Sequence, residues 1–233
     1  IEPTDTTIEF DPAHLHQVLW NLCRNALKYA HDTPTKLHLD IQGGTPTHTR
    51  DVMLNIIDNG RGIPVDPHPK FPDKSALEVI LTTLHSGAKF GGKSYETSGG
   101  LHGVGMSVVN ALSEKLIVEV ATRKRLWRQE YSKGLPLIPL QDLGEVSNRR
   151  GTTITFYADP EIFVARAKFK PETLYKMARS KAYLFKGVEI RWKCAQELLG
   201  ENSEIPQEAT FRFPGGIKDF LEEVTKDQSL VIP

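Results

Sequence analysis

Two glycine clusters constrain this chain more than any other feature of its sequence. The first is Asp58-x-Gly60-x-Gly62, and the second is the run GGLHGVG over Gly99–Gly105. Glycines at this density let the backbone approach a ligand closely, and amides at the start of the helix that follows can hold phosphate oxygens. Neither cluster is a P-loop or the GxGxxG of a dinucleotide fold. Because glycine clusters often only turn the chain, a structural role and a phosphate-binding role both stay open on this pattern alone.

Composition narrows the class of protein. The 233 residues carry 29 Lys and Arg against 29 Asp and Glu, so we exclude a main role in coating nucleic acid or an anionic membrane. Cys23 and Cys194 are far apart in the sequence, which argues against a disulfide framework or a thiolate zinc site and favours the cytoplasm. No segment is apolar enough to predict a membrane span or a signal peptide. We expect one domain over residues 1–233.

Hydrophobic periodicity predicts the secondary structure. Asp11-Pro12 predicts the start of a helix over about 12–31, whose polar face carries Asn21 and Asn25 one turn apart. The Gly-, Pro- and Asp-rich residues 58–74 predict a loop. Strands are expected at 37–41, 52–56, 116–120, 125–131, 152–157, 188–192 and 209–213, and further helices at about 75–84, 104–112, 171–184 and 216–224. These elements predict an α+β fold, a two-layer α/β sandwich with helices on one face of a mixed sheet.

The order of these motifs resembles a known nucleotide-binding fold. Asn-x-x-x-Asn on a helix, then DNGRGIP after a strand, then GGLHGVG resemble the Bergerat (GHKL) fold shared by gyrase, Hsp90, histidine kinases and MutL. Residues 57–233, about three quarters of the chain, resemble the ATPase domain of bacterial type II topoisomerase B subunits, the family of the topoisomerase IV and DNA gyrase B subunits. The resemblance rests on the runs DNGRGIPVDPHPKFP, SALEVILTTLHSGAKF, SYETSGGLHGVGMSVVNALSEKL, RQEYSKG and FPGGIKDFL.

The first part of the chain resembles another branch of that fold. Within residues 1–50, FDPAHLHQVLWNLCRNALKYAHDTP is similar to the N box of sensor histidine kinases, in which NLxxNAxKY is typical. This difference suggests a chimera whose seam lies between Gly44 and Asp58. A natural, divergent topoisomerase is the alternative. Since the two families share the fold, we expect a hybrid to fold by exchanging equivalent elements.

The resemblance implies a site for ATP and Mg²⁺. Asp58 would accept a hydrogen bond from the adenine amino group, which selects adenine because guanine presents a carbonyl there. Asn25 would give a side-chain oxygen to Mg²⁺, a hard cation that prefers oxygen ligands, and Arg61 would stack on the adenine ring. For Asn25 and Lys89, a polar side chain on a solvated surface is the plainer alternative. The other nucleotide-binding residues that the resemblance implies are Gly62, Pro64, Lys89, Gly100, Leu101, His102, Gly103, Val104, Gly105 and Thr152, and Arg61 and Arg128 would line the rim where aminocoumarin-type, ATP-competitive inhibitors bind in this family.

Two positions depart from the topoisomerase pattern. Asn21 stands where that family carries a general-base Glu, four residues before the magnesium-binding Asn. A neutral amide cannot accept a proton, and a positioned base contributes about 10²- to 10⁴-fold to a rate, so we expect weak hydrolysis with nucleotide binding intact. Tyr29 stands where the family usually has an acidic partner for Arg61, which predicts a modest loss of affinity for ATP.

These observations favour an ATP-binding domain of the topoisomerase B-subunit type, hybridised with a histidine kinase N box, that binds Mg-ATP with impaired hydrolysis. We expect a monomer, with DNA and the topoisomerase A subunit as partners only in a longer protein, and no membrane partner. The alternative is a histidine kinase catalytic domain. Because none of the eight histidines lies in a dimerisation-helix motif, such a domain would transfer phosphate to a histidine of a partner. A third possibility is a chain whose only activity is to bind a nucleotide or an inhibitor.

Overall fold

A mixed β-sheet organises the chain. The computed structural model describes residues 36–42, 53–84, 105–163, 170–199 and 203–226. In these ranges nine strands form the main sheet, in the order β11-β10-β1-β2-β9-β5-β6-β7 with β8 beside β6, and β3 and β4 form a separate pair. The strands are Lys36–Gln42 (β1), Met53–Asp58 (β2), Pro67–His68 (β3), Phe71–Ser75 (β4), Ser113–Thr122 (β5), Arg125–Ser132 (β6), Leu135–Pro136 (β7), Gln141–Glu145 (β8), Gly151–Ala158 (β9), Glu189–Cys194 (β10) and Glu208–Arg212 (β11).

The helices complete the architecture. They are Ala76–Thr82 (α1), Gly105–Ala111 (α2), Pro171–Leu184 (α3) and Ile217–Val224 (α4), with a 3₁₀ turn at Gln196–Leu198. β1 pairs with β10 in parallel, whereas its other neighbour, β2, and the remaining paired strands are antiparallel. The predicted α+β fold with a mixed sheet is therefore confirmed.

The two faces of the sheet differ in what covers them. Tyr175 of α3 meets Trp192 of β10 edge to face, with ring centroids 5.5 Å apart. A row of directly paired, buried residues crosses the sheet on this helix-covered face, and its members are Trp192, Leu39, Ile56, Ile154, Val118 and Gln129. The adjacent row lies on the opposite, open face. Arg191 in this row is exposed, and the other members are partly buried, namely His38, Ile57, Thr153, Glu119 and Arg128.

Buried apolar side chains on the helix-covered face explain why the sheet holds together. Successive residues of a strand point to opposite faces, so alternating apolar residues place one side of every central strand in the core. Leu37 and Ile41 of β1 and Phe156 of β9 are fully buried, and burial of such side chains stabilises a fold by about 1.5–3 kcal/mol each. Within the described ranges, no helix has both the length and the apolar character needed to cross a membrane.

Most expected elements are found within a few residues of their predicted bounds, and α3 matches its prediction at both ends. The loop expected over residues 58–74 is partly wrong, because it contains β3 and most of β4. Four of the five residues of β4 are exposed, so no apolar alternation reveals the strand. The exposed edge strands β7 and β8 are not anticipated by the sequence either, for the same reason. The helix predicted over 12–31 lies outside the described residues.

Candidate functional site

Asp58 ends β2 on the helix-covered face of the sheet. Its cross-strand partner is the fully buried Leu37. One carboxylate oxygen, Oδ1, accepts hydrogen bonds from the backbone N–H of Gly60 at 2.7 Å and from the backbone N–H of Thr152 at 3.3 Å. The carboxylate is thus held in one orientation by its own loop and by the start of β9.

Burial of this carboxylate changes its chemistry. Desolvation raises the pKa of Asp58 above its ordinary value, while the N–H groups of Gly60 and Thr152 and the Thr152 side chain act in the opposite direction. A partly buried carboxylate of shifted pKa, held by backbone amides beside a glycine loop, is a candidate for ligand recognition. Since an ionised carboxylate only accepts hydrogen bonds, it suits a ligand that presents a donor.

Gly151 lets the backbone approach Asp58 closely, and Gly62 lets the loop that follows Asp58 pack against β5. Gly151 has a φ of +106°, and a Cβ at this position would lie 2.0 Å from the Asp58 carbonyl oxygen. Gly62 has a φ of +81°, and a Cβ there would lie 2.9 Å from Val120 Cγ1. Positive φ and these close approaches both require glycine. Gly62 is among the residues predicted from the sequence, whereas Gly151 is not, because its contact with Asp58 joins segments far apart in the chain.

The loop that follows Asp58 is tied to two other parts of the sheet. The side-chain oxygen of Asn59 accepts a hydrogen bond from the backbone N–H of Lys36 at 2.8 Å. Further along, both Asp66 carboxylate oxygens accept from the Arg123 guanidinium at 2.9 Å, which links the loop to the turn between β5 and β6. Arg61 and Pro64 lie between these two ties and are exposed. The loop therefore presents both side chains on the accessible side of a fixed backbone.

Arg128 does not lie beside Asp58. It faces the open side of the sheet, where its guanidinium donates to Glu130 Oε1 at 2.6 and 3.1 Å and lies 3.8 Å from Glu119. Arg149 also binds Glu119, at 2.6 Å. The bond to Arg128 is the main reason why the pKa of Glu130 is lowered. The structure thus places Arg128 on the face of the sheet opposite Thr152, and its role at an inhibitor rim stays a prediction.

The structure brings part of the predicted site together. Asp58 and Thr152 meet at one carboxylate, and Gly62 packs beside Val120 and Gly151. Arg61 and Pro64 belong to the same loop. Gly105 is the first residue of α2. The remaining candidates lie outside the described residues, and they are Asn21, Asn25, Lys89, Gly100, Leu101, His102, Gly103 and Val104.

The described residues offer no ready-made metal centre. Among them, no group of three or more His, Cys, Asp or Glu side chains is placed to hold a metal ion. Mg²⁺ commonly binds through one or two protein oxygens together with substrate phosphates and water, rather than in a cage of protein ligands. A magnesium site built from one protein oxygen and a nucleotide is compatible with this arrangement.

Comparison with known proteins identifies a family. Residues 10–162 match the family model described as histidine kinase-, DNA gyrase B- and HSP90-like ATPase. The chain is 56% identical over 178 residues to the B subunit of DNA topoisomerase 4 from Bartonella bacilliformis, which covers 76% of this chain and 26% of that protein. It is 53% identical over 184 residues to the corresponding protein of Rickettsia prowazekii, covering 79% of this chain and 27% of the relative.

Gyrase relatives match a larger share of this chain. The DNA gyrase B subunit of Staphylococcus epidermidis is 38% identical over 214 residues, 92% of this chain and 31% of the relative. A crystal structure of the 43K ATPase domain of Thermus thermophilus gyrase B, in complex with an aminocoumarin, superposes with a TM-score of 0.74 and 32% identity, covering 94% of this chain and 51% of that one. The chain thus spans about a quarter to a third of the length of these curated relatives.

Proposed function

Because the chain belongs to the family of histidine kinase-, DNA gyrase B- and HSP90-like ATPases, we propose that it binds ATP as the ATPase domain of a type II topoisomerase B subunit does. The observation that carries this proposal is the Asp58 carboxylate, held by Gly60 and Thr152 at the end of a buried strand. The adenine amino group would donate to it. Gly62 would leave room for the base, and Arg61 and Pro64 would flank the ring.

The residues that would bind the phosphates and the metal ion lie mostly outside the described residues. We propose that the glycines from 100 to 105 wrap the triphosphate, that Lys89 lies near its terminal phosphates, and that Asn25 supplies an oxygen to Mg²⁺. Bound Mg²⁺ would neutralise phosphate charge. The single domain over residues 1–233, its cytoplasmic location and its monomeric state are parts of the same proposal, with DNA and the A subunit as partners in a longer protein.

Calorimetric titration with a non-hydrolysable ATP analogue, with and without Mg²⁺, tests nucleotide binding. We expect the unmodified chain to bind the ATP analogue more tightly with Mg²⁺, and the matching GTP analogue not to bind. Asp58→Asn should lose ATP binding. An amide has one acceptor oxygen, so it cannot accept hydrogen bonds at both side-chain positions as the carboxylate can. Asn55→Ser is the matched control, since Asn55 lies on the same strand but bonds Thr155 on the open face. Equal binding by all three chains would refute the proposal.

Weak hydrolysis is the second part of the proposal, and it depends on Asn21. Asn21→Glu would restore a proton acceptor in the position where the topoisomerase family has one, and we expect phosphate release to rise by about 10²- to 10⁴-fold. Gln17→Glu adds the same charge four residues before Asn21 in the predicted helix and should leave the rate unchanged. An unmodified chain that already turns over as fast as an intact B subunit would contradict this part.

The N box supports a second candidate, a histidine kinase catalytic domain. The hybrid of a kinase-like segment over residues 1–50 and a topoisomerase-like part over residues 57–233 belongs to the first proposal. The supporting observation is the NLCRNALKY run, which has the kinase pattern and lacks the topoisomerase Glu. Such a kinase domain would transfer phosphate to a histidine of a separate protein. Incubation with labelled ATP and a histidine-containing dimerisation domain measures this transfer. If the dimerisation domain stays unlabelled, this candidate is wrong and ATP binding remains the proposed activity.

A further inference from the structure

Residues 58–66, the base-binding loop of the proposed site, lie along the end of β5. A Cβ built on Gly62 would be only 2.9 Å from Val120 Cγ1, so the loop backbone rests directly on this strand. Three residues after Val120, the Arg123 guanidinium donates to both carboxylate oxygens of Asp66, at 2.9 Å each. The loop is thus held at two successive points by β5 and by the turn that follows it.

The base-binding loop has an inner and an outer side. Ile63 and Val65 pack against the hydrophobic core, whereas Arg61 and Pro64, which are proposed to flank the adenine ring, are exposed. At the end of the loop, the Asp66 carbonyl oxygen accepts a hydrogen bond from the N–H of the first residue of α1 at 2.8 Å. The backbone of Asp66 is therefore fixed by α1, and its side chain is fixed by the turn between β5 and β6.

The turn between β5 and β6 has an unusual backbone for its sequence. Arg123 and Lys124 are its two central residues, between the paired Thr122 and Arg125, and their φ angles are +51° and +61°. Asn and Gly are the usual residues in two-residue turns of this kind, because they tolerate a positive φ. Long side chains at these positions carry a backbone cost, and such strain is often found where a residue serves a function. The pair of hydrogen bonds to Asp66 is the contact that Arg123 makes in the described part of the chain.

We propose that Arg123 is a positioning residue that holds the base-binding loop against the end of β5 and so fixes Arg61 and Pro64 beside the adenine ring. The inference rests on the proposed function, and it concerns the base rather than the phosphates. A loop held in its bound geometry loses less conformational freedom when the ligand binds. Loss of the ion pair between Arg123 and Asp66 should therefore weaken the binding of every adenine-containing ligand by the same factor.

Replacement of Arg123 by Asn separates this role from a purely structural one. Asn adopts a positive φ more readily than Arg, so the Tm of Arg123→Asn should equal or exceed that of the unmodified chain. We expect the same variant to bind adenosine, measured by NMR titration, and the ATP analogue, measured by calorimetry, about two- to fivefold more weakly, the scale of one exposed ion pair. Lys124→Asn is the matched control, because it makes the same kind of change at the neighbouring turn position, whereas both bonds to Asp66 come from Arg123. It should keep both affinities.

A double-mutant cycle tests the contact itself. Asp66→Ala should weaken both ligands by about the same factor as Arg123→Asn, and the double variant should bind no more weakly than either single variant, because both changes remove one interaction. Should Arg123→Asn not fold, Arg123→Lys, which keeps the charge but loses the paired geometry, takes its place in the cycle.

The possible results separate this inference from the proposed function. If the unmodified chain binds both ligands and Asp58→Asn abolishes binding, but the Arg123 variant keeps full affinity, the inference is wrong and the proposed function stands. Additive losses in the double variant would also overturn the inference, because the two side chains would then act independently. If the unmodified chain binds neither ligand, the proposed function is wrong and the inference fails with it.

Discussion

Gly151 shows at the scale of one residue how closely the backbone approaches Asp58. Alanine there would combine an unfavourable positive φ with a Cβ only 2.0 Å from the Asp58 carbonyl oxygen. We expect Gly151→Ala to lower the free energy of unfolding by about 1–3 kcal/mol or more, as strain and overpacking do, and to weaken binding of the ATP analogue. Chemical denaturation and calorimetry measure the two effects.

Gly144 offers a matched control for that substitution. It has a similar φ of +97°, but nothing lies within 4 Å of a Cβ built on it. Gly144→Ala should therefore lower the free energy of unfolding only by the cost of the positive φ, about 1 kcal/mol. Its binding of the ATP analogue should be unchanged. Equal destabilisation by the two variants would mean that the close approach to Asp58 has no energetic consequence.

Asp58 also predicts opposite pH dependences for stability and for binding. Its raised pKa means that, between the unfolded and folded pKa values, the folded chain holds more protons than the unfolded chain. The free energy of unfolding should therefore fall as the pH rises through this window. Nucleotide binding needs the ionised carboxylate, so affinity should fall as the pH drops through the raised pKa.

NMR titration of the Asp58 carboxyl carbon measures its pKa directly, and denaturation at several pH values measures the stability effect. Asp58→Asn should remove this component of the pH dependence and stabilise the unliganded chain at neutral pH, because no charge is then buried. A carboxyl that titrates at or below the ordinary value near 4 would contradict the prediction.

At the scale of elements, the helices differ in how they begin. Ser75 caps α1, because its hydroxyl accepts a hydrogen bond from the Glu78 N–H at 3.0 Å. Helix α3 begins after Lys170, whose side chain makes no capping bond, and Pro171 occupies the first turn. A lysine there also places a positive charge at the positive end of the helix dipole.

Lys170→Asp should therefore stabilise the chain. Aspartate can cap free N–H groups and interacts favourably with the helix dipole, so we expect the free energy of unfolding to rise by about 0.5–1.5 kcal/mol. Lys176→Asp makes the same charge change on an exposed position within α3 and should not stabilise it. Thermal denaturation of both variants measures the difference in stability. An equal gain in stability in both would mean that the change in net charge alone is the cause.

For the whole molecule, ligand binding and folding should be coupled. A ligand that binds only the folded chain raises the free energy of unfolding by about 2.7 kcal/mol at a concentration 100 times its Kd. We expect the magnesium complex of the ATP analogue to raise the Tm of the unmodified chain and of Asn55→Ser. It should not raise that of Asp58→Asn. A Tm that rises equally in all three would place the nucleotide away from Asp58.

Much of the architecture follows from local patterns in the sequence. Alternating apolar residues predict the central strands, since each must bury one face, and Pro171 with the apolar spacing behind it predicts α3. The motif from Asp58 to Pro64 also indicates the base-binding loop. These features are local, because periodicity and glycine conformation act within a few residues.

Only the tertiary structure decides which distant residues meet. The Thr152 N–H reaches Asp58 across 94 positions of the sequence, and Gln129 reaches Glu78 across 51. The face of the sheet on which Arg128 lies depends on the register of β6 with β5, which pairs Arg128 with Glu119. Strand order and register result from packing the whole core at once, and no local pattern encodes them, so the contacts that shape the site appear only when the chain is folded.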